Sequence, residues 1–450
     1  MLGAIACFAL GSALGGASKS MTMLIVARTL QGAGSGGINS LTQIILSDLV
    51  TLEERGKYNG LFGMTWAISG GLGPVIGGAL ARHTIWRWLF YLNLPLSGIC
   101  LGLILIFLQV PTPGGTVVEK LKRIDWIGNV LVISATTGLA IALSWGGVVY
   151  PWTSARVLAP LCISAALLVA WLVYESYFAA IPAIPLVANR TTFSGYIQIG
   201  LSAYIISNLV YYLPVYYRAC KDASPIGSGV DLLGLSFSTA PVSIITGVSI
   251  AVTKRYRPQI WMSWCLTLIG LGLISTIDEN TSRAKSIGFQ ILAGTGIGIM
   301  YSAAYFPVLA PLPVTQNAYA LSGYVFIRTL FQVWGVTIGG AILQNELQNN
   351  LPQSILSSPL LLPGESVAYT IIPLIPSLPQ PEKDAVRHAF AQSLIVLWRV
   401  LIAISGVGLL ISSLMKPVPL HAREDENWAM AEKTKTEDTS ATSSESSLAA

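Results

Sequence analysis

Charge is what this chain has least of. Only 10% of its 450 residues are Asp, Glu, Lys or Arg, against about 25% in a soluble globular domain. So few charges cannot cover a water-facing surface, and composition sets aside the soluble-enzyme classes. Histidine is scarcer still. His83, His388 and His421 are the three present, and all fall outside the apolar runs, so no buried catalytic or metal-binding imidazole is expected. The five cysteines (Cys7, Cys100, Cys162, Cys220 and Cys265) are far apart and odd in number. No pair has metal-ligand spacing, and they read as small apolar packers. Basic residues are scattered and the net charge is +5, which leaves no nucleic-acid footprint. Neither a metal nor an organic cofactor is expected. Carboxylates are missing from the middles of the apolar runs: Asp48, Glu53, Glu54, Asp125, Glu175, Asp222, Asp231, Asp278 and Glu279 stand at loops or run ends.

Apolar sequence fills the space that charge leaves. Hydrophobic residues make up 53% of the chain and the mean hydropathy is +0.64. A bilayer core requires about 20 apolar residues per helix. Twelve segments meet that need, at 1–17, 22–47, 60–81, 88–110, 126–148, 156–178, 192–213, 229–252, 259–277, 286–310, 320–343 and 392–415. The class is therefore an all-α polytopic membrane protein embedded in the lipid bilayer. Connections are short except for 344–391, which is Pro- and Leu-rich and has room for a short interfacial helix. Residues 416–450 turn Thr-, Ser- and Glu-rich and are expected to be a disordered cytosolic tail. Met1–Ala17 opens directly in apolar sequence without a basic start, unlike a signal peptide.

Orientation follows from Lys and Arg near span ends. With the end of the second span in the cytosol, eleven basic residues fall on that side and ten on the other, and the tight clusters Lys120–Arg123 and Lys254–Arg257 favour this choice.

Several spans carry polar residues in register. Arg28, Gln31, Ser35, Asn39 and Thr42 fall on one face of the second span. Arginine at membrane depth costs several kcal/mol unless it faces a partner or a wet cavity. Two readings stand: a polar contact between helices, or a cavity wall. Gly32-x-Gly34-x-x-Gly37 fits a dinucleotide fingerprint as a string but lacks the strand and soluble βαβ unit that the fingerprint requires. The glycines instead suit close helix approach. Gln198, Ser202, Asn208 and Tyr212 share a face of the seventh span, and Gln290, Tyr301 and Tyr305 share one of the tenth. Arg328 and Gln332 mark a second intramembrane arginine region. In the third span, Ser69-Gly70-Gly71-Leu72-Gly73-Pro74-Val75-Ile76-Gly77-Gly78 places one proline among glycines. Proline removes a backbone hydrogen bond and bends the helix, so a hinge or seal at Gly73, Pro74, Gly77 and Gly78 is the expectation.

These motifs carry a resemblance. Arg28-x-x-Gln31-Gly32-x-Gly34 resembles the fourth-span motif of the major facilitator superfamily, and Gly73-Pro74-x-x-Gly77-Gly78 resembles its fifth-span antiporter motif, with Ser69 where glycine is more usual. Glu54-Arg55-Gly56-Lys57 fits between them. Trp86-Arg87-Trp88-x-Phe90-x-x-Asn93-x-Pro95, Ile124-Asp125-Trp126-Ile127-Gly128, Leu213-Pro214-Val215-Tyr216-Tyr217, Ala223-Ser224-Pro225-x-x-Ser228-Gly229 and Arg255-Tyr256-Arg257-Pro258 resemble the fourteen-span drug:proton antiporter branch. Phe326-x-Arg328 to Gly339-Gly340 and Gln344-Asn345 fit its fungal members.

The resemblance implies two helical halves around a central cavity. Residues 1–110 would be the remainder of the N-terminal half, 111–191 a two-span insert with its flanking loops, and 192–415 the C-terminal half. The fourth-span motif lies here on the second span, so two spans are expected to be absent at the N-terminus, along with the first-span carboxylate of the family. On that basis the chain as given is expected to insert poorly and to lack proton-driven export. The implied activity of the intact family is export of small amphipathic molecules in exchange for protons, by alternating access. The pathway residues would be Arg28, Gln31, Asn39, Gln198, Asn208, Gln290, Tyr301, Tyr305 and Arg328, with Arg28 tuning a nearby carboxylate. A monomer in the plasma membrane, rather than the vacuolar membrane, is the expected form. An inactive fragment and a transporter-like sensor are the alternatives.

Overall fold

The protein, seen as a computed structural model, is described for residues 1–52, 54–82, 85–108, 116–122, 124–177, 189–313, 316–357 and 366–420. Within these residues lie twelve long helices, one for each apolar segment: α1 Leu2–Gly16, α2 Met21–Leu49, α3 Arg55–Arg82, α4 Trp88–Phe107, α5 Trp126–Trp145, α6 Ala155–Tyr177, α7 Arg190–Cys220, α8 Pro225–Thr253, α9 Arg257–Ile274, α10 Arg283–Leu309, α11 Asn317–Asn350 and α12 Glu382–Ser412. No strand occurs among the described residues; Gly146 and Tyr150 form an isolated bridge. His83, His421, Arg123, the 178–188 connection and the tail beyond Leu420 lie outside them.

Eight of the helices are long and apolar enough to cross a membrane by length and composition. Of the remaining four, α1 is apolar but has only 15 residues. Glycine and polar residues dilute the hydropathy of α2 and α3. Where the chain enters a helix at the membrane edge, a short polar side chain takes an orphan N–H. Ser20 accepts from Met23 N, Asp125 from Gly128 N, Asn189 from Thr191 N, Ser224 from Gly227 N and Ser282 from Lys285 N. Each such cap is worth about 1 kcal/mol.

The packing separates into three bodies. The first pairs α1 with α2 and α4, where Gly34 lies against the Phe8 backbone and Gly11 against Gln31. The second is the α5–α6 pair, largely open on its outer faces. The third comprises α7–α12 and holds nearly all of the buried apolar cluster, with α7 and α10 innermost. Helix α3 joins the halves, since it packs chiefly along α8 rather than on α1 or α2. Further contacts between halves run from α2 and α5 to α11. Cys100, Cys162 and Cys265 face outward and Cys220 is buried; all five cysteines are free thiols.

The 344–391 connection differs from its sequence reading. Helix α11 runs on to Asn350 and α12 begins at Glu382. Hydropathy detects only the apolar part of a helix, while the hydrogen-bond ladder continues into polar sequence such as Gln344–Asn350. Between them, short helices at Gln353–Leu356 and Val367–Ile371 and a 3₁₀ turn at Ile375–Ser377 form a cap. That cap buries Leu351, Val367, Ala368, Ile371, Ile372 and Ile375. Gln344 fastens it, donating to Ser366 Oγ at 2.6 Å and accepting from Ala368 N at 3.2 Å.

Candidate functional site

The polar residues singled out in the sequence occupy different places. On α2, Gln31 is buried and donates to Ser12 Oγ of α1 at 2.9 Å, while Asn93 of α4 donates to the same hydroxyl at 3.4 Å. Arg28 donates to Gln31 Oε1 at 3.1 Å and lies 4.5 Å from the centroid of the Phe90 ring. Arg28 therefore finds its partner on another helix, but that partner is aromatic. No carboxylate among the described residues is within ion-pair reach of it. Asn39 donates to Ser35 O of its own helix and is exposed.

On α7, Gln198 is fully buried and its amide is consumed within the C-terminal half. It donates to Ser194 Oγ at 2.8 Å and accepts from Trp264 Nε1 at 3.1 Å. Asn208 sits in the seam with α11, donating to Tyr204 O at 2.8 Å, where Gly335 and Gly339 leave room for its amide. On α10, Gln290 is fully buried and donates to Tyr217 Oη. Gln290 and Tyr301 share a face, but eleven residues at about 1.5 Å each put them about 16 Å apart along the axis.

Three of the expected residues do converge. Arg328 donates to Tyr301 Oη at 3.4 Å, and its guanidinium lies 4.6 Å from the Tyr301 ring centroid and 5.9 Å from that of Trp66 on α3. The Trp66 and Tyr301 rings are 5.8 Å apart. Tyr305, one helical turn beyond Tyr301, meets Tyr324 edge-on at 6.0 Å and accepts from Arg55 Nη1 at 3.5 Å. A continuous strip of aromatic rings and arginines thus joins α3, α10 and α11 across the halves. Cation–aromatic contacts contribute about 0.5–2 kcal/mol each, more when desolvated.

Beside this strip is a cavity of about 420 Å³. Trp66 of α3 supplies one wall, Ile206, Ser207, Val210 and Tyr211 of α7 another, and Gln332, Val333, Val336 and Thr337 of α11 the third. Gln332 stands one turn from Arg328 on the same face. The walls are mostly apolar with a few hydrogen-bonding groups, the usual make-up of a small-molecule site.

Arg55 and Trp66 were not found by sequence reasoning as site residues. Arg55 had counted as one of the orientation charges and as part of the Glu54–Lys57 motif. It is fully buried, donates to Val50 O at 2.6 Å and also reaches Ser47 O. It thereby satisfies the orphan carbonyls at the negative end of α2. A signal was available in α3: Gly56, Gly60, Gly63, Ala67 and Gly71 recur at helical spacing and lie on α8 or its neighbours, with Trp66 next to that stripe.

The Gly73–Gly78 motif divides in two. A Cβ at Gly78 would meet Pro225 O at 2.7 Å, and one at Gly229 would meet the Pro74 backbone at 2.9 Å. This is a backbone-to-backbone contact between halves. Among the described residues, nothing lies within 4 Å of a Cβ built at Gly73 or Gly77.

A sequence profile of the Major Facilitator Superfamily matches residues 1–339. The chain belongs to this superfamily. Among similar curated proteins, the MFS transporter L2 of Phoma sp. is 35% identical over 434 residues, covering 96% of this chain and 73% of that protein. The efflux pump FUS6 of Gibberella moniliformis is 35% identical over 438 residues, covering 95% and 78%. The MFS-type efflux pump LUC4 of Fusarium sp. is 34% identical over 442 residues, covering 96% and 78%. The solved human organic anion transporter MFSD10 superposes with a TM-score of 0.51 at 14% identity, covering 92% of this chain and 76% of that one. A likeness at that identity speaks for the fold alone. The superfamily chain is a membrane transporter, and the apolar helices agree with an integral multi-pass protein.

Proposed function

We propose that this superfamily member is a secondary active exporter of small amphipathic molecules. It would work by alternating access around the cavity beside Arg328, with protons as the coupling ion. The observation that carries the reading is the juxtaposition of a drug-sized, mostly apolar cavity with a fixed cation, at the junction of both halves. The apolar walls favour substrate bodies of low polarity. Arg328 favours an acidic or strongly polar end, since an anion close to an arginine in low dielectric gains far more than in water. The α3–α8 seam supplies a surface on which the halves can rock. The efflux-pump names of the similar proteins support outward transport. Asp231 is the coupling candidate. It is buried, its Oδ2 accepts no hydrogen bond among the described residues, and Arg283 is 3.8 Å away.

The test uses yeast lacking its own exporters and a panel of amphipathic acids paired with their neutral esters. Arg328→Gln at unchanged surface expression is expected to lower export of the acids at least tenfold and of the esters much less. Equal export of both series by the variant and the parent would remove the cavity from the reading.

A further inference from the structure

A second cavity, of about 430 Å³, lies away from the first, at the turn between α8 and α9. Its lining is basic and aromatic: Lys254, Arg255, Arg257 and Trp261, with Tyr256 at the base and Pro417–Pro419 as the far wall. The cavity is built rather than incidental. Tyr256 is buried, stacks parallel to Phe306 at 6.4 Å, and donates to Lys416 O at 3.3 Å. Lys416 N in turn donates to Thr191 Oγ1 at 3.0 Å, which pins the strap to the start of α7. Lys254 adopts the left-handed conformation, with φ 55°, and turns the chain sharply so that the three basic side chains follow one another around the opening.

Among the described residues, neither Arg255 nor Arg257 has a carboxylate within 4.0 Å. The Arg257 guanidinium lies 4.9 Å from the Trp261 ring centroid, and its buried Nε has no hydrogen-bond acceptor among the described residues. Apolar surface adjoins the cavity on both helices. Exposed Ile245, Val248 and Val252 form a stripe on α8 that ends two residues before Lys254. Trp261, Met262 and Ile269 are exposed on α9, starting one turn past Arg257.

We propose that this cavity binds the phosphate headgroup of an anionic phospholipid, with the acyl chains lying along the exposed stripes of α8 and α9. Clustered basic side chains directly at a span end suit anionic headgroups. A tryptophan at the same level suits the bilayer interface. The adjoining apolar stripes favour a lipid over free phosphate, because a soluble anion would leave them unused. The site is separate from the transport cavity and does not depend on the export reading.

The experiment measures lipid binding by the purified full-length chain, by thermal stabilisation and by native mass spectrometry. Phosphatidylserine or phosphatidylinositol vesicles are expected to stabilise the protein and phosphatidylcholine vesicles not to. The double variant Arg255→Gln, Arg257→Gln is expected to lose about tenfold or more of the preference for anionic lipid. Lys57→Gln, which removes an exposed charge from the α3 end beside α8, is expected to keep it. A photoreactive phosphatidylserine is expected to label the 254–261 segment of the unaltered chain, so the proposal stays testable if the double variant misfolds. Labelling confined to other segments, or a double variant with undiminished lipid preference, would overturn it. So would equal stabilisation by inorganic phosphate alone. Lipid binding that appears only after removal of residues 421–450 would assign the cavity to the acidic run Glu424-Asp425-Glu426 instead.

Discussion

Gly77 and Gly78 are neighbours in one motif, and the structure gives them opposite fates on substitution by alanine. At Gly78 the new methyl would stand 2.7 Å from Pro225 O and 2.8 Å from Pro225 C, against an ordinary minimum of about 3.4 Å. Both atoms are backbone, so no rotamer change relieves the overlap, and α3 and α8 must part locally. Overpacking of that kind costs about 1–3 kcal/mol, offset by about 1 kcal/mol of gained helix propensity. At Gly77 nothing among the described residues lies within 4 Å, so only the propensity gain remains. The two variants should then differ by about 1–3 kcal/mol in the arrangement that holds α3 on α8, which is roughly a 5- to 150-fold change in its population. The assay is accessibility of a cysteine placed at Ile226 to a bulky impermeant reagent, read alongside thermal stability in detergent. Gly78→Ala is expected to raise labelling and lower stability, and Gly77→Ala to match the parent or exceed its stability. Identical behaviour of the two variants would refute the packing argument. Loss of transport in Gly77→Ala with unchanged stability would show that the motif works as a flexible hinge.

Arg28→Ala, which removes the contacts to Phe90 and Gln31, should abolish export with near-normal surface expression; unchanged efflux would leave Arg28 a packing role only. Asp231→Asn should uncouple substrate movement from an imposed pH gradient in proteoliposomes, whereas a variant that still follows the gradient would place the proton carrier elsewhere. Asn189 stands at the start of α7, and Asn280 is at the opposite end, where Tyr216 Oη donates to Asp278 O at 2.8 Å. A cysteine at 280 should label from outside intact cells and one at 189 should not, and the reverse pattern would invert the orientation. In the same loop, hydrogen bonds from Thr281 and Asn280 hold the Asp278 carboxyl below the usual aspartate range. A depressed folded value means that the carboxylate stabilises the loop above the unfolded value of about 3.9 and loses that contribution as pH falls through the folded value. Asp278→Asn should therefore cost about 1 kcal/mol at neutral pH and nothing in strong acid, as pH-dependent melting would reveal.

Reading the sequence alone was enough for everything that depends on local composition. Twelve apolar runs become twelve helices because lipid offers the backbone no hydrogen-bond partners. The superfamily was legible too, because its motifs are contiguous strings such as Arg28–Gly34 and Gly73–Gly78. What the sequence could not decide was which polar faces meet. Helical periodicity fixes a residue's direction around its own axis but neither its height nor the identity of the helix opposite. Gln290 and Tyr301 thus share a face yet stand about 16 Å apart. Gln198 turns to Trp264 of its own half, and Gln31 to Ser12. Only tertiary packing brings Trp66 from α3 against Tyr301 and Arg328, and only there does an intramembrane arginine acquire aromatic partners and a cavity beside it.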